Sequence, residues 1–248
     1  MKFEEKIKNK YLYSNQLNIL KIIYFFFQFL KSKFKPRLAY SNWGVDLIIT
    51  KILKNKRKGV YIDVGCHHPF LNNHTYLLYK SGWSGINIDL DYSSVDMFNF
   101  FRKQDLNKQI AVTDHNGEVD LFFHHNRAAK NTISKDFGKN AKELKKIQAS
   151  TLNSIIEESK FKDSQIDFVS IDVEGNEMNV LRGFSLKKYK PTLIMLEFII
   201  PTTKEFYQNN IQNILNSDIY KHLTDNNYKL INWNHDDLLF MNKDFNNK

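Results

Sequence analysis

Apolar residues along this chain recur in two periods, and the alternation between them predicts an α/β protein. Val60-Tyr61-Ile62-Asp63-Val64 is a β-branched and aromatic run closed by Gly65, and segment 74–81 behind it has helical character and stops at Gly82. That is a strand, a tight turn and a helix. Gly85–Asp89 predicts a second strand, Ser93–Arg102 a helix with Val95, Phe98 and Phe101 at helical spacing, and Gln109–Val112 a third strand. Asn116-Gly117 predicts a hairpin turn into an extra strand, Glu118–His124. Residues 125–149 are polar, lysine-rich and without clear period, which predicts a mobile surface loop or lid. Ser150 or Thr151 should cap a helix through Ser159, and Ile166–Ile171 is a fourth strand ending at Asp172. Gly175–Arg182 is a short helix stopped by Gly183, and Thr192–Leu196 a fifth strand ending at Glu197. A helix near Asn209–Thr224 and strands at Tyr228–Trp233 and Asp237–Met241 complete the pattern.

Strands alternating with helices require a parallel sheet covered on both faces. The last two strands are joined only by Asn234-His235-Asp236, too short for a crossover helix, so the final strand must enter antiparallel. The expected fold is α/β and Rossmann-like, with a mostly parallel seven-stranded sheet ending in an antiparallel hairpin.

The amino-terminal part has a different pattern. Leu17–Leu30 is strongly apolar, but as a helix it would span about 21 Å against about 30 Å of bilayer core, and Lys21 and Gln28 interrupt it. Lys31, Lys33, Lys35 and Arg37 follow directly, a pattern that fits a helix lying on an anionic membrane surface through residues 17–37. A helix packed on the domain or in a dimer seam fits it equally. Pro36 breaks the chain, and Ser41–Lys54 predicts a helix capped by Ser41 or Asn42, with Val45, Ile48, Ile49, Ile52 and Leu53 at helical spacing.

Charge separates the same two parts. Residues 1–58 carry 14 Lys and Arg against 3 Asp and Glu, and residues 59–248 carry 22 against 24. A nearly neutral main part argues against nucleic acid as a partner. The expected organisation is a basic helical extension, 1–58, and one domain, 59–248. The single cysteine, Cys66, and the lack of a signal-peptide pattern make a cytoplasmic protein the expectation, with peripheral contact at the inner membrane surface through the arm.

Candidate chemistry gathers where strands end. Gly65 and Cys66 open the turn after the first strand, where a nucleotide-bearing cofactor lies in doubly wound sheets. Asp63 can order that turn, and Asp89, 24 residues after Gly65, is placed to accept from ribose hydroxyls. Asp114 is a weaker cofactor candidate beside a turn. Asp172, which could also face the cofactor, and Glu174 flank the point where the first and fourth strands diverge. With His67, His68 and Glu197 they are the available bases for a hydroxyl nucleophile. Adjacent histidines in a turn usually diverge and no i, i+4 pair is present, so no metal is expected.

The run Asp63-Val64-Gly65, Ile88-Asp89, Ala111-Val112-Thr113-Asp114 with Gly117, Ser150-Thr151-Leu152, Ile166–Gly175, Val180-Leu181-Arg182-Gly183 and Leu196-Glu197 resembles the FkbM family of methyltransferases. The resemblance covers about residues 59–242, and the Ile171-Asp172-Val173-Glu174-Gly175 segment is its most specific part. The first turn departs from the commoner family pattern, with Cys66-His67-His68-Pro69 where further glycines are usual, and resembles a histidine-proline branch. The resemblance implies a class I methyltransferase fold, S-adenosylmethionine as cofactor, and O-methylation of a sugar, glycolipid or related hydroxyl. A nicotinamide oxidoreductase is the second reading, disfavoured by the missing glycines and the antiparallel ending. A non-catalytic membrane-surface protein is the third.

Overall fold

A computed structural model describes residues 19–33, 39–199 and 211–245. Lys35 and Arg37 of the expected basic segment, the side chains of Lys31 and Lys33, residues 17 and 18 of the apolar run, and the start of the helix expected from Asn209 lie outside the described residues. Seven strands form the main sheet: β1 (Val60–Val64), β2 (Ser84–Asp89), β3 (Leu106–Gln109), β7 (Ile166–Ile171), β8 (Leu193–Glu197), β9 (Tyr228–Asn234) and β10 (Asp237–Asn242). Their order is β3-β2-β1-β7-β8-β10-β9, and β10 runs antiparallel to both β8 and β9. Chain order reverses between β1 and β7, so the switch point of the sheet lies there. This is the expected class I methyltransferase arrangement.

Burial explains why the central strands are apolar at most positions on both faces. β7 is buried at all six positions because it has neighbours on both sides and layers on both faces. Ile62, Val64, Ile86, Ile88, Val169, Ile171, Ile194 and Leu196 form one face of the core. They meet α5 (Leu152–Glu157) and α6 (Glu177–Arg182) through Leu152, Ile155, Val180 and Leu181. Tyr61, Phe168, Leu193, Met195 and Leu239 form the other face, where α2 (Val45–Ile52) contributes Val45 and Ile49. α2 begins behind Gly44, which holds the left-handed φ of 75° at the N-cap position, so the helix starts later than the expected Ser41 or Asn42 cap allows. Ser41 instead donates from Oγ to Asp46 Oδ1 at 2.8 Å.

A buried polar network ties the first turn to the helix after β2. Arg102 follows α4 (Tyr92–Phe101) and is fully buried. Its guanidinium donates to Thr75 Oγ1 at 2.8 Å, Asn73 Oδ1 at 2.8 Å and the Pro69 carbonyl at 2.6 Å. Asp105 accepts from Tyr61 Oη at 2.5 Å, Gly85 N at 2.9 Å and Asn87 Nδ2 at 2.9 Å. α1 (Ile19–Lys33) lies beside this region, with Phe25 packed on Phe100 and Phe101, and Phe29 on Phe70 and Phe101.

The structure corrects four further expectations of the sequence. The third strand divides, with β3 in the main sheet and β4 (Ala111–Val112) in a second, three-stranded sheet. The hairpin expected at Asn116-Gly117 does not form, because β6 (Glu143–Ser150) lies between β4 and β5 (Gly117–Phe123), parallel to one and antiparallel to the other. β6 occupies the end of the segment expected to be a loop. Six of its eight positions are not buried on either face up to Gln148, so it carries no alternating apolar signal and is held by backbone pairing with β5. The helix expected over 209–224 is two helices, α8 (Ile211–Leu215) and α9 (Asp218–Asp225), separated where Ser217 turns to cap the second through Tyr220 N.

Candidate functional site

The carboxyl ends of β1, β2, β7 and β8 open into a cleft of about 240 Å³ at the switch point. Asp63, Gly65, Cys66, His67, Asp89, Asp172, Glu174 and Glu197 all line it, so most residues singled out by the sequence converge. Two do not. Asp114 is exposed and pairs with its neighbour His115 at 2.7 Å, because the chain leaves the main sheet after Gln109 to form the second one. His68 is buried away from the cleft lining, and its Nδ1 accepts the backbone amides of Phe70 and Leu71, each at 3.1 Å. Asp114 therefore leaves the set of cofactor ligands and His68 the set of bases.

The first turn is built for close packing. Gly65 has φ +83°, and a Cβ there would lie 1.6 Å from the Asp172 carbonyl oxygen, so only glycine lets β1 pass the end of β7. Asp63 is buried, and one of its oxygens accepts from Asn73 Nδ2 at 3.0 Å and Thr75 Oγ1 at 2.8 Å, which anchors the loop where a helix then begins. Asp89 takes the His67 amide on one oxygen and the Asp91 amide on the other, each at 2.8 Å. A carboxylate has about four acceptor positions, so Asp89 keeps capacity for a ligand hydroxyl. Burial pushes its carboxyl up to about 7 despite those two amides. Burial raises the Cys66 thiol, with Asp89 and Asp63 adding to the effect, so the thiol stays neutral. Burial lowers His67, whose Nε2 lies 3.3 Å from the Arg127 carbonyl.

Across the cleft, one carboxylate oxygen from each of Asp172, Glu174 and Glu197 lies within 4.8 Å of the others. The turn that presents them is held by other residues. Glu174 has φ 54° and its carbonyl accepts from Thr132 Oγ1 at 2.9 Å; Glu177 Oε1 accepts the Gly175 amide at 3.0 Å and the Val173 amide at 3.3 Å. Glu177 thus does the anchoring that Asp172 and Glu174 could have done, and leaves their carboxylates facing the cleft. Burial, and after it the neighbouring acids, raises Asp172 to about 8, Glu174 to about 7 and Glu197 to about 12. One oxygen of Glu197, Oε2, is buried with no hydrogen-bond partner among the described residues. Crowding and burial favour the protonated acids here, and a cation beside them would let them ionise together.

Residues outside the sequence-based set complete the site. His74 lines the cleft, with Nε2 3.4 Å from Asp237 Oδ2 and Nδ1 3.3 Å from Ser170 Oγ. Burial alone would lower its pKa, but the hydrogen bond and charge of Asp237, aided by Asp63 and Asp172, outweigh this and raise it to about 9. Asp236 and Asp237 also line the cleft. They arrive there because β10 is antiparallel: its first residue pairs with Glu197, the last of β8. Ala128, Ala129, Asn131 and Ile133 from the segment expected to be a loop form another wall.

Comparison with known proteins identifies the family. The model of the methyltransferase FkbM domain matches residues 63–230. Among solved structures, methyltransferase FkbM from Methylobacillus flagellatus KT is similar at 14% identity and a TM-score of 0.47, covering 75% of this chain and 44% of that one. Monomeric WbdD is similar at 10% identity and a TM-score of 0.40, covering 93% of this chain and 42% of that one. The chain spans less than half the length of either. No curated protein matches it. With the cleft at the switch point and the family match running from Asp63 into β9, the chain belongs to the FkbM family of methyltransferases.

Proposed function

We propose that this protein transfers a methyl group from S-adenosylmethionine to a hydroxyl of a sugar, glycolipid or related metabolite. The observation that carries the reading is the acidic cleft at the switch point, in which Asp63, Asp89, Asp172, Glu174 and Glu197 surround a space suited to a cationic ligand. Bound there, the cofactor supplies an electrophilic methyl group on a sulfonium. Asp89 would accept from its ribose hydroxyls, Asp63 and the Gly65-Cys66 turn would bound its pocket, and Asp172 would face its positive charge. Glu174 is the base in this reading, because a carboxyl raised to about 7 is matched to taking a proton near neutrality. His67, kept neutral by burial, is the alternative base. Cys66, a buried free thiol, suits a reducing, cytoplasmic setting.

Calorimetric titration with S-adenosylmethionine, its demethylated product and NADH tests the cofactor. Binding of the first two and not the third is expected, and binding of NADH alone would overturn the reading. Incubation with methyl-labelled cofactor and fractionated cell glycans then tests the acceptor, with label expected in a product stable to mild base, as an ether is.

A further inference from the structure

The outer face of α1 is the largest feature that the cleft chemistry leaves unused. Helical spacing divides the helix in two. Phe25 and Phe29 pack on the domain, Tyr24 Oη accepts from Arg127 Nη1 at 2.8 Å, and Lys21, the one charge inside the apolar run, is buried in an ion pair with Asp96. The opposite side presents Ile19, Leu20, Ile22, Ile23, Phe26 and Phe27, six of the eleven large apolar side chains exposed among the described residues. Single exposed apolar residues are ordinary, whereas six on one helix make a patch of the kind that meets a partner or a membrane. Because Lys21 turns inward, no charge interrupts that patch.

We infer that this face docks on an anionic lipid surface, with the helix lying in the plane of the headgroups. Charge selects this occupant over a second copy of the chain. Residues 1–58 carry 14 Lys and Arg against 3 Asp and Glu, and Lys31, Lys33, Lys35 and Arg37 follow the patch directly in sequence. Two copies meeting through α1 would bring two such segments together, while anionic headgroups neutralise them. Length selects lying over spanning: the 15 residues of α1 reach about 22 Å, and no helix among the described residues is long and apolar enough to cross a membrane. The docked helix also adjoins the cleft, since Arg127, which bonds Tyr24, is followed by Ala128 and Ala129 in the cleft wall.

Co-sedimentation of the full chain with vesicles tests this. The protein is expected to pellet with phosphatidylglycerol-containing vesicles at low salt, at least about tenfold less with pure phosphatidylcholine, and to be released as salt rises, because screening acts over about 10 Å at 0.1 M. The double variant Phe26→Ser, Phe27→Ser alters only exposed side chains of the outer face, so it should keep the wild-type melting temperature and lose vesicle binding about tenfold or more. An intact chain that stays in the supernatant with anionic vesicles sinks the proposal. So does a double variant that pellets like wild type, or sedimentation velocity showing a dimer that the double variant dissolves.

Discussion

Two groups of buried polar side chains sit at the same sheet and are built in opposite ways. Around Arg102, cation and acid are both present: the guanidinium reaches Thr75, Asn73 and the Pro69 carbonyl, and Asp105 takes three donors. Around Glu197, three acids crowd within 4.8 Å and one buried oxygen has no partner among the described residues. The first group is largely self-satisfied, with Arg102 Nε its one buried nitrogen without a partner among the described residues, and it positions the turn after β1. The second gathers like-charged groups, so one network pairs opposite charges while the other is the one that the proposed cationic ligand would face. Stability and function are thereby assigned to different side chains, and substitutions should separate them.

The largest effect should come from the satisfied network. Arg102→Met should destabilise the protein by about 3–5 kcal/mol in chemical denaturation, since it leaves Asp105 and several acceptors buried without their cation. A loss below about 1 kcal/mol would show that the network contributes little to the fold. The unsatisfied group should respond the other way. Glu174→Gln should lower methyl transfer about 100-fold while the melting temperature holds or rises, because a like charge leaves the cluster. Near-wild-type turnover would move the base to His67.

Asp89 belongs to both regimes, since it anchors the turn and borders the cleft. Asp89→Ala should weaken S-adenosylmethionine binding by about 1–3 kcal/mol in calorimetry, and an unchanged constant in a folded variant would remove it from the site. The same acids make stability depend on pH. The carboxyls of Asp172 and Glu174 are raised to about 8 and about 7 in the fold, so the unfolded chain loses these protons first. Their stabilising contribution is complete below the ordinary carboxylate range near 4 and is lost as pH rises through 7 to 8, by at most about 1.4 kcal/mol per unit for each proton retained. Affinity for a cationic ligand should rise over the same window. Denaturation and binding measured from pH 5 to 8 check both slopes, and parallel slopes would mean that the acids do not meet the ligand.

The sequence by itself determined the strand-helix alternation, the antiparallel ending and the carboxylates at the strand ends. Each rests on local information: β1, β7 and β8 are mostly apolar because those strands are buried on both faces, and a three-residue connection admits no crossover. Tertiary structure decided what depends on partners distant in the chain. β6 carries no apolar period because most of it is uncovered, so only pairing with β5 reveals it as a strand. His68 and Asp114 are chemically suitable, yet backbone amides and a departing chain direction take them from the site. His74 and Asp237 looked like a helix start and a strand start, and they enter the cleft because β10, inserted antiparallel beside β8, sets its first residue against Glu197. Spacing along a chain fixes which face a side chain shares with its neighbours; which distant charge it meets depends on strand order and direction, and pKa follows from that meeting.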